Sequence, residues 1–194
     1  METHTSTTSF STPRQLLLYA RSGSLRMLAF AGVIVRALEA RRHPLIRGLS
    51  ESEFQALMRH CFPACPPLAE AAPGINSSIE GQHAAVIDEF DDLVALLLEH
   101  RAEATQESTW LAYAMASAAM GEDHLWQDMG LPSRAVLSSL IQENFPTLHA
   151  TNTGNMKWKK FFYRQLCERA RVPICKSPHC AECVDYTVCF GPES

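Results

Sequence analysis

Four cysteines lie close together near the carboxyl end of the chain, in the spacing C-x4-C-x2-C-x5-C: Cys175, Cys180, Cys183 and Cys189. Pro173, Pro178 and Gly191 prevent one long helix or strand from running through this stretch. Thiolates carried on turns converge on a single small inorganic centre, which a regular element of the same length does not allow. We therefore predict that the four cysteines bind a metal ion or a metal cluster.

The spacing also distinguishes between kinds of metal site. A structural zinc site typically uses two C-x2-C pairs, whereas this chain has one such pair, Cys180 and Cys183, with a single cysteine on either side. An iron-sulfur cluster accepts four cysteines that do not form two matching pairs. The spacing favours an iron-sulfur cluster, and a zinc site or four unligated thiols are the alternatives.

The rest of the chain is typical of a protein that stays in the cytoplasm. Residues 1–13 lack the charged start and the apolar stretch of a secretory signal, and we expect them to form a flexible tail. The apolar run at residues 27–35 is shorter than the roughly 20 residues that cross a bilayer. In a reducing compartment seven cysteines more often bind metal than form disulfides. The net charge of -4 does not indicate a nucleic-acid-binding protein.

Apolar residues at three- and four-residue intervals predict that the residues before the cysteines are almost entirely helical. A Ser-x-x-Glu pattern at Ser50 and Glu53 predicts a capping box. The proline-rich residues 62–80 are predicted to be a loop. The predicted helices cover residues 25–41, 50–61, 82–105, 110–120, 132–145 and 155–171.

No alternating strand pattern of useful length is present, so the predicted fold is all-α. We expect a helical bundle domain followed by a C-terminal cysteine-rich metal-binding loop. The predicted boundaries are a tail at 1–13, a helical domain at 14–171 and a cysteine-rich, cluster-binding segment at 172–194.

The last predicted helix carries both aromatic and basic side chains. Its apolar residues are spaced to dock one side of the helix on the bundle: Trp158, Phe161, Phe162 and Leu166. Its basic residues are candidates for offsetting the negative charge of a thiolate-bound cluster, or for attracting an oxyanion or an acidic partner: Lys157, Lys159, Lys160 and Arg164. The alternative is that these charges form an ordinary solvated helix face.

Other cysteines and histidines are weaker candidates. Cys167 is expected to be a small buried residue and not a spare ligand, and Cys61 and Cys65 are interpreted as incidental because no second pair accompanies them. His179 lies within the cysteine segment and is either an extra ligand or a loop residue. His124 is a candidate for a second metal or oxyanion contact, with a hydrogen-bonded structural role as the alternative.

These motifs together resemble one known family. The run MKWKKFFYR at residues 156–164, followed by the four-cysteine spacing and Phe190-Gly191, is similar to the carboxy-terminal signature of the NifQ family. The acidic segment 88–93 and the segment HLWQDMGL at 124–131 also resemble that family. The resemblance spans about residues 80 to 191.

The resemblance implies a carrier and not an enzyme. Members of the family are iron-sulfur proteins that hold molybdenum, in a mixed molybdenum-iron-sulfur cluster, for assembly of the iron-molybdenum cofactor of nitrogenase. The family's ligand positions correspond to the four motif cysteines, Cys175, Cys180, Cys183 and Cys189. The implied partners are the cofactor-assembly scaffold NifEN and the nitrogenase iron protein NifH.

Two other functions are compatible with the residues themselves. A ferredoxin-like electron carrier would keep its cluster and bind no molybdenum. A zinc-stabilised interaction or nucleic-acid module would use the basic helix to bind its partner. Catalysis is not indicated, because no Ser/His/Asp set, nucleotide-binding Gly-rich loop or paired carboxylate site is assigned.

Overall fold

The computed structural model describes residues 10, 12–68, 89–171 and 186–193. Every regular element longer than a single bridge residue in these ranges is a helix, which confirms the predicted all-α class. The helices are α1 (Pro13–Leu17), α2 (Leu25–Glu39), α3 (Glu51–Cys61), α4 (Glu89–His100), α5 (Gln106–Ala119), α6 (Leu125–Asp128), α7 (Arg134–Asn144), α8 (Pro146–Thr151), α9 (Trp158–Ala170) and α10 (Tyr186–Phe190). In these ranges, no helix combines the length and the apolar character that crossing a membrane requires.

Helix α2 lies at the centre of the fold. It packs against α1, α5, α6 and α7, and side chains on all of its faces are buried, among them Phe30, Ile34 and Val35. A helix that is apolar all round has to be covered on every side. Helices α1, α5, α6 and α7 therefore cover α2, and α4 packs on α5 and contacts α8 and α9.

Two glycines allow α2 to approach the connection between α6 and α7. A Cβ atom on Gly32 would overlap the carbonyl oxygen of Met129, and a Cβ atom on Gly130 would lie 2.8 Å from the Cα atom of Gly32. Gly130 also has a φ of +61°, which glycine adopts without steric cost. Backbone thus packs directly on backbone here, and this contact fixes the position of the α6–α7 corner.

The helix starts follow the capping rules. Ser50 accepts a hydrogen bond from the Glu53 N–H while the Glu53 carboxylate accepts one from the Ser50 N–H, so the predicted capping box is present. The serine hydroxyls of Ser24 and Ser133 cap α2 and α7 in the same position. Three predicted starts differ. Helix α5 begins four residues earlier than predicted, α7 begins after its cap at Ser133 and not at Pro132, and α9 begins three residues later than predicted, at Trp158.

Helix α4 is shorter than its apolar pattern predicts. It ends at His100, whereas the prediction continued to residue 105, and the predicted start at 82–88 lies outside the described residues. Thr105 cannot belong to α4, because its backbone is extended and its hydroxyl caps the next helix by accepting a hydrogen bond from the Ser108 N–H. The described part of the predicted 62–80 loop, residues 62–68, contains no helix.

Four short helices are not predicted by the sequence pattern: α1, α6, α8 and α10. Pro146 directly follows the predicted helix at 132–145, where a proline ends a helix, yet it is also the first residue of α8. Near the chain start, Phe10 is buried with its ring edge-on to Tyr19, and Pro13 opens α1, so the end of the predicted tail belongs to the fold. These elements are too short to carry a hydrophobic period.

Helix α9 docks on the bundle through its aromatic residues, as predicted. Trp158, Phe161 and Phe162 are buried and form one ring cluster, with Phe161 edge-on to Trp158 at 5.7 Å between centroids. The Trp158 indole N–H donates to the Ser138 hydroxyl on α7 at 3.0 Å. Leu166 packs at the margin of the same core. The aromatic face therefore fixes where α9 begins.

Candidate metal centre

One of the four motif cysteines lies within the described residues. Cys189 is partly buried on α10, where it packs against the core, whereas Cys175, Cys180 and Cys183 lie outside the described residues. The Cys189 carbonyl accepts a hydrogen bond of 2.8 Å from the backbone N–H of Lys157, the residue that precedes α9. The last motif cysteine therefore lies beside the amino-terminal end of α9.

Helix α10 carries two aromatic residues on either side of Cys189 in the sequence. Tyr186 and Phe190 stack on each other with 4.7 Å between ring centroids. A Cβ atom on Gly154 would lie 3.1 Å from the Phe190 ring. Because glycine has no side chain, the ring can pack closely against the turn before α9. The segment that carries Cys189 is thus packed on the helical domain, and it contains a helix where a loop was predicted.

The turn that receives α10 is fixed by hydrogen bonds of its own. The Asn152 side chain accepts from the Met156 N–H at 2.8 Å and donates to the Met156 carbonyl at 2.9 Å. Asn155 adopts a φ of 52°, in the left-handed region that asparagine tolerates better than most residues. The side chains of Asn152 and Asn155 explain why a tight turn forms just before α9.

The end of α9 beside which the Cys189 backbone lies carries positive charge. The amino-terminal end of a helix carries a partial positive charge from its unpaired backbone N–H groups. Lys157 stands at this end of α9 and is half-buried, and Lys160 on the first turn is exposed. A cluster of iron, sulfide and four thiolates would carry net negative charge, which the positive charge at this end of α9 would stabilise.

Lys159 does not belong to the exposed basic set, which corrects its predicted role. Its ammonium group forms an ion pair with the buried carboxylate of Asp128 on α6 and donates a 2.8 Å hydrogen bond to the Gly121 carbonyl. The Lys159 side chain is 17% exposed and that of Asp128 is 8% exposed. Lys159 therefore joins α9 to α6 and the end of α5, and it is not positioned to meet a ligand or partner.

Replacing Lys159 with methionine should destabilise the fold by about 3 kcal/mol, because it leaves the Asp128 carboxylate buried without its cation. Urea unfolding followed by circular dichroism measures the change. Lys160→Met is the matched control, and its exposed ammonium group predicts a change within about 0.5 kcal/mol. Equal unfolding midpoints for the two variants would show that the Lys159–Asp128 pair does not stabilise the fold.

The remaining basic residues of α9 have carboxylate neighbours. Arg164 forms an ion pair with Glu168 at 2.8 Å on the exposed side of the helix. Arg169 pairs with Glu99 on α4 at 2.7 Å. These carboxylates neutralise part of the positive charge predicted for α9. The positive charge near Cys189 is therefore that of Lys157 and Lys160.

The cysteines outside the motif have the properties of core or helix residues. Cys61 is fully buried, and burial, together with the nearby Glu107 carboxylate, raises the pKa of its thiol to about 12. Burial also raises the pKa of Cys65. A thiol with a raised pKa is protonated at neutral pH and is a poor metal ligand. Neither residue is therefore a natural spare ligand.

Cys167 is half-buried on α9, more exposed than predicted. Burial raises the pKa of its thiol, and the carboxylates of Glu89 and Glu168 raise it further. The same carboxylate acts on the neighbouring Tyr163. Burial raises the pKa of the Tyr163 phenol, and the negative charge of Glu89 and its hydrogen bond with the phenol raise that pKa further. This acidic surrounding opposes a thiolate at Cys167.

Of the two histidine candidates, His124 lies within the described residues. His124 precedes α6, and its Nδ1 atom lies 4.0 Å from a carboxylate oxygen of Glu193, which favours the structural interpretation over a separate metal site. His179 lies outside the described residues. Within the ranges that the structure describes, no three His, Cys, Asp or Glu side chains are grouped so as to hold a metal ion.

Two residues at this site were not found from the sequence. The Arg134 guanidinium lies 3.6 Å from the Glu193 carboxylate, and Glu193 follows Cys189 by four positions. Neither residue is part of a sequence motif, so the sequence does not indicate that they lie at this site. The ion pair between them in the structure does. Cysteine thiolate is the ligand type that iron-sulfur clusters take, and Cys189 is the one motif cysteine among the described residues.

Comparisons with known proteins agree on one family. A family model described as NifQ matches residues 29–191. The chain is 39% identical to Protein NifQ of Azotobacter vinelandii over 155 residues, which cover 77% of this chain and 80% of the relative. It is 36% identical to the Protein NifQ homolog of Sinorhizobium fredii over 84% of this chain and 70% of the relative. A third relative, Protein NifQ of Rhodobacter capsulatus, is 47% identical over 50% of this chain and 54% of its own. No solved structure matches.

Proposed function

The chain belongs to the NifQ family of nitrogen-fixation proteins, and from this we propose that it carries molybdenum for the iron-molybdenum cofactor of nitrogenase. The molybdenum is cargo, bound in a mixed molybdenum-iron-sulfur cluster whose ligands are Cys175, Cys180, Cys183 and Cys189. The protein passes this cargo on in the cytoplasm and is not an enzyme.

The position of Cys189 is the observation that supports this proposal most. Its backbone is hydrogen-bonded to Lys157 at the positive end of α9, and the side chain is partly buried at the surface of the helical domain. Thiolate and sulfide are soft ligands that suit iron and reduced molybdenum. A ligand at the surface permits both stabilisation of an anionic cluster and its later departure.

Metal analysis of anaerobically purified protein tests the proposal. We expect a brown protein that contains iron, sulfide and molybdenum and has an electron paramagnetic resonance signal from the cluster. A colourless protein with one zinc ion would support the zinc-stabilised interaction module instead. Iron and sulfide without molybdenum, with reversible reduction and no transfer, would support the ferredoxin-like electron carrier.

The proposed recipients are the cofactor-assembly scaffold NifEN together with the iron protein NifH. The exposed Lys160 and half-buried Lys157 lie on the same end of α9 as Cys189. Positive charge next to the cargo accelerates encounter with an acidic partner surface. These two lysines are therefore the proposed docking residues, in place of the wider basic set predicted from the sequence.

Changing Lys157 and Lys160 together to glutamate should slow cargo delivery about tenfold while the bound metal stays close to the wild-type amount, because docking charges act mainly on the association rate. Delivery is measured as molybdenum appearing on NifEN in the presence of NifH, at low and at high salt. The difference from wild type should shrink at high salt. Arg36→Glu is the control, since Arg36 lies on α2 and pairs there with Glu39. Delivery that the lysine changes leave untouched would contradict docking through α9.

A further inference from the structure

We propose that Arg134 is a positioning residue for the metal ligand Cys189. It contacts both sides of the place where α10 meets the turn before α9, and in this way it holds the carboxy-terminal segment against the helical domain. The inference rests on the proposed function, since Cys189 matters here as a ligand of the cargo.

The turn side of this contact consists of three hydrogen bonds. One terminal nitrogen of Arg134 donates to the Asn155 carbonyl at 2.8 Å, to the Asn155 side-chain oxygen at 3.0 Å and to the Met156 carbonyl at 3.0 Å. The next residue, Lys157, donates its backbone N–H to the Cys189 carbonyl. Arg134 thus fixes the turn whose last N–H group holds the cysteine.

The other side is an ion pair with the residue that follows α10. The second terminal nitrogen of Arg134 lies 3.6 Å from the Glu193 carboxylate, whose side chain is only 6% exposed. Burying a carboxylate is costly unless a cation or hydrogen-bond donor compensates its charge. Arg134 supplies that cation, with the His124 ring at 4.0 Å as the second neighbour, so loss of Arg134 weakens the attachment of the segment.

The geometry of the guanidinium suits this double role. Arginine presents several N–H groups in a rigid planar fork, whereas lysine presents one compact ammonium group. Arg134 stands at the first position of α7, and α7 is anchored to the α6 corner that packs against α2. Groups outside the direct ligands commonly change metal affinity about 10- to 100-fold when they are removed.

The test uses full-length protein with Arg134→Gln, Arg134→Lys and Glu193→Gln, and Arg36→Gln as the control. In metal-free, reduced protein, iodoacetamide labelling is measured by mass spectrometry for Cys189 and Cys61 separately. We expect faster labelling of Cys189 in all three site variants, with Cys61 still protected in the core. Arg36→Gln should label like the wild type, because the ion-pair partners of Arg36 among the described residues are Glu39 and Asp123 and not α10.

The iron-loaded protein provides the second readout. Competition with an iron chelator should show about tenfold weaker iron binding in Arg134→Gln and Glu193→Gln. If Cys61 became reactive together with Cys189, the variants would be unfolding as a whole and the positioning role would be wrong. Unchanged Cys189 labelling and unchanged iron affinity would contradict it as well.

The two readouts separate this inference from the proposed function. A wild-type protein that bound no iron, combined with faster Cys189 labelling in Arg134→Gln, would overturn the metal-carrier function and leave the anchoring by Arg134 supported. A wild-type protein that bound iron, combined with an Arg134→Gln variant of equal affinity and equal labelling, would overturn the positioning role alone.

Discussion

Serine in place of Cys183 is expected to reduce bound iron by at least about tenfold. Removing a residue outside the direct ligands already lowers metal affinity about 10- to 100-fold, and removing a direct ligand should cost at least as much. The same result is expected for Cys180, the other half of the C-x2-C pair. Helical content should stay near that of the wild type, because the described core is built from side chains of other segments. Iron and sulfide analysis with circular dichroism on anaerobically purified protein measures both quantities.

Cys65→Ser is the matched control for this experiment. Cys65 is partly buried, lies outside the four-cysteine motif, and has a thiol whose pKa is raised by burial. The control should keep its full iron content. An unchanged iron content in the Cys183 and Cys180 variants, or an equal loss in Cys65→Ser, would show that the motif cysteines are not the ligands.

Alanine in place of Gly32 should destabilise the fold by about 3 kcal/mol, because the new methyl group overlaps the Met129 carbonyl and meets the Gly130 Cα atom. Backbone atoms cannot swing aside as a flexible side chain does. The cost should appear even though alanine favours a helix interior by about 1 kcal/mol over glycine. Urea unfolding of the purified protein measures the change.

Gly23→Ala is the control for the crowding at Gly32. A Cβ atom at Gly23 would have no neighbour within 4 Å, so its effect on the free energy of unfolding should stay within about 0.5 kcal/mol. If Gly32→Ala were as stable as the wild type, the close approach of α2 to the α6–α7 connection would not exist in solution.

The larger helices were predictable because their sequences carry strong local signals. The Ser50 and Glu53 capping box placed the start of α3, and the aromatic spacing from Trp158 to Phe162 gave the buried side of α9. Such signals depend on neighbours three or four residues apart. They fail for α6 and α8, which are too short to show a period, and for Pro146, which both ends one helix and begins the next.

The role of Lys159 shows why the electrostatics of the site was harder to predict. Its partner Asp128 lies 31 positions earlier in the chain, and only the packing of α6 against α9 brings the two charges together. A run of lysines in one sequence does not reveal which of them has a buried partner. The same limit applies to Arg134 and Glu193, which belong to different elements and to no motif.

Helix α10 attaches the chain to the helical domain at a point beyond the proposed ligands Cys175, Cys180 and Cys183. Arg171 ends α9 in a left-handed conformation, and the chain is attached to the same domain again at Cys189. The chain is therefore fixed to this domain both before and after residues 172–185. Under the proposed function, folding alone would hold the Cys189 thiolate at a high effective concentration near the other three ligands before any metal binds.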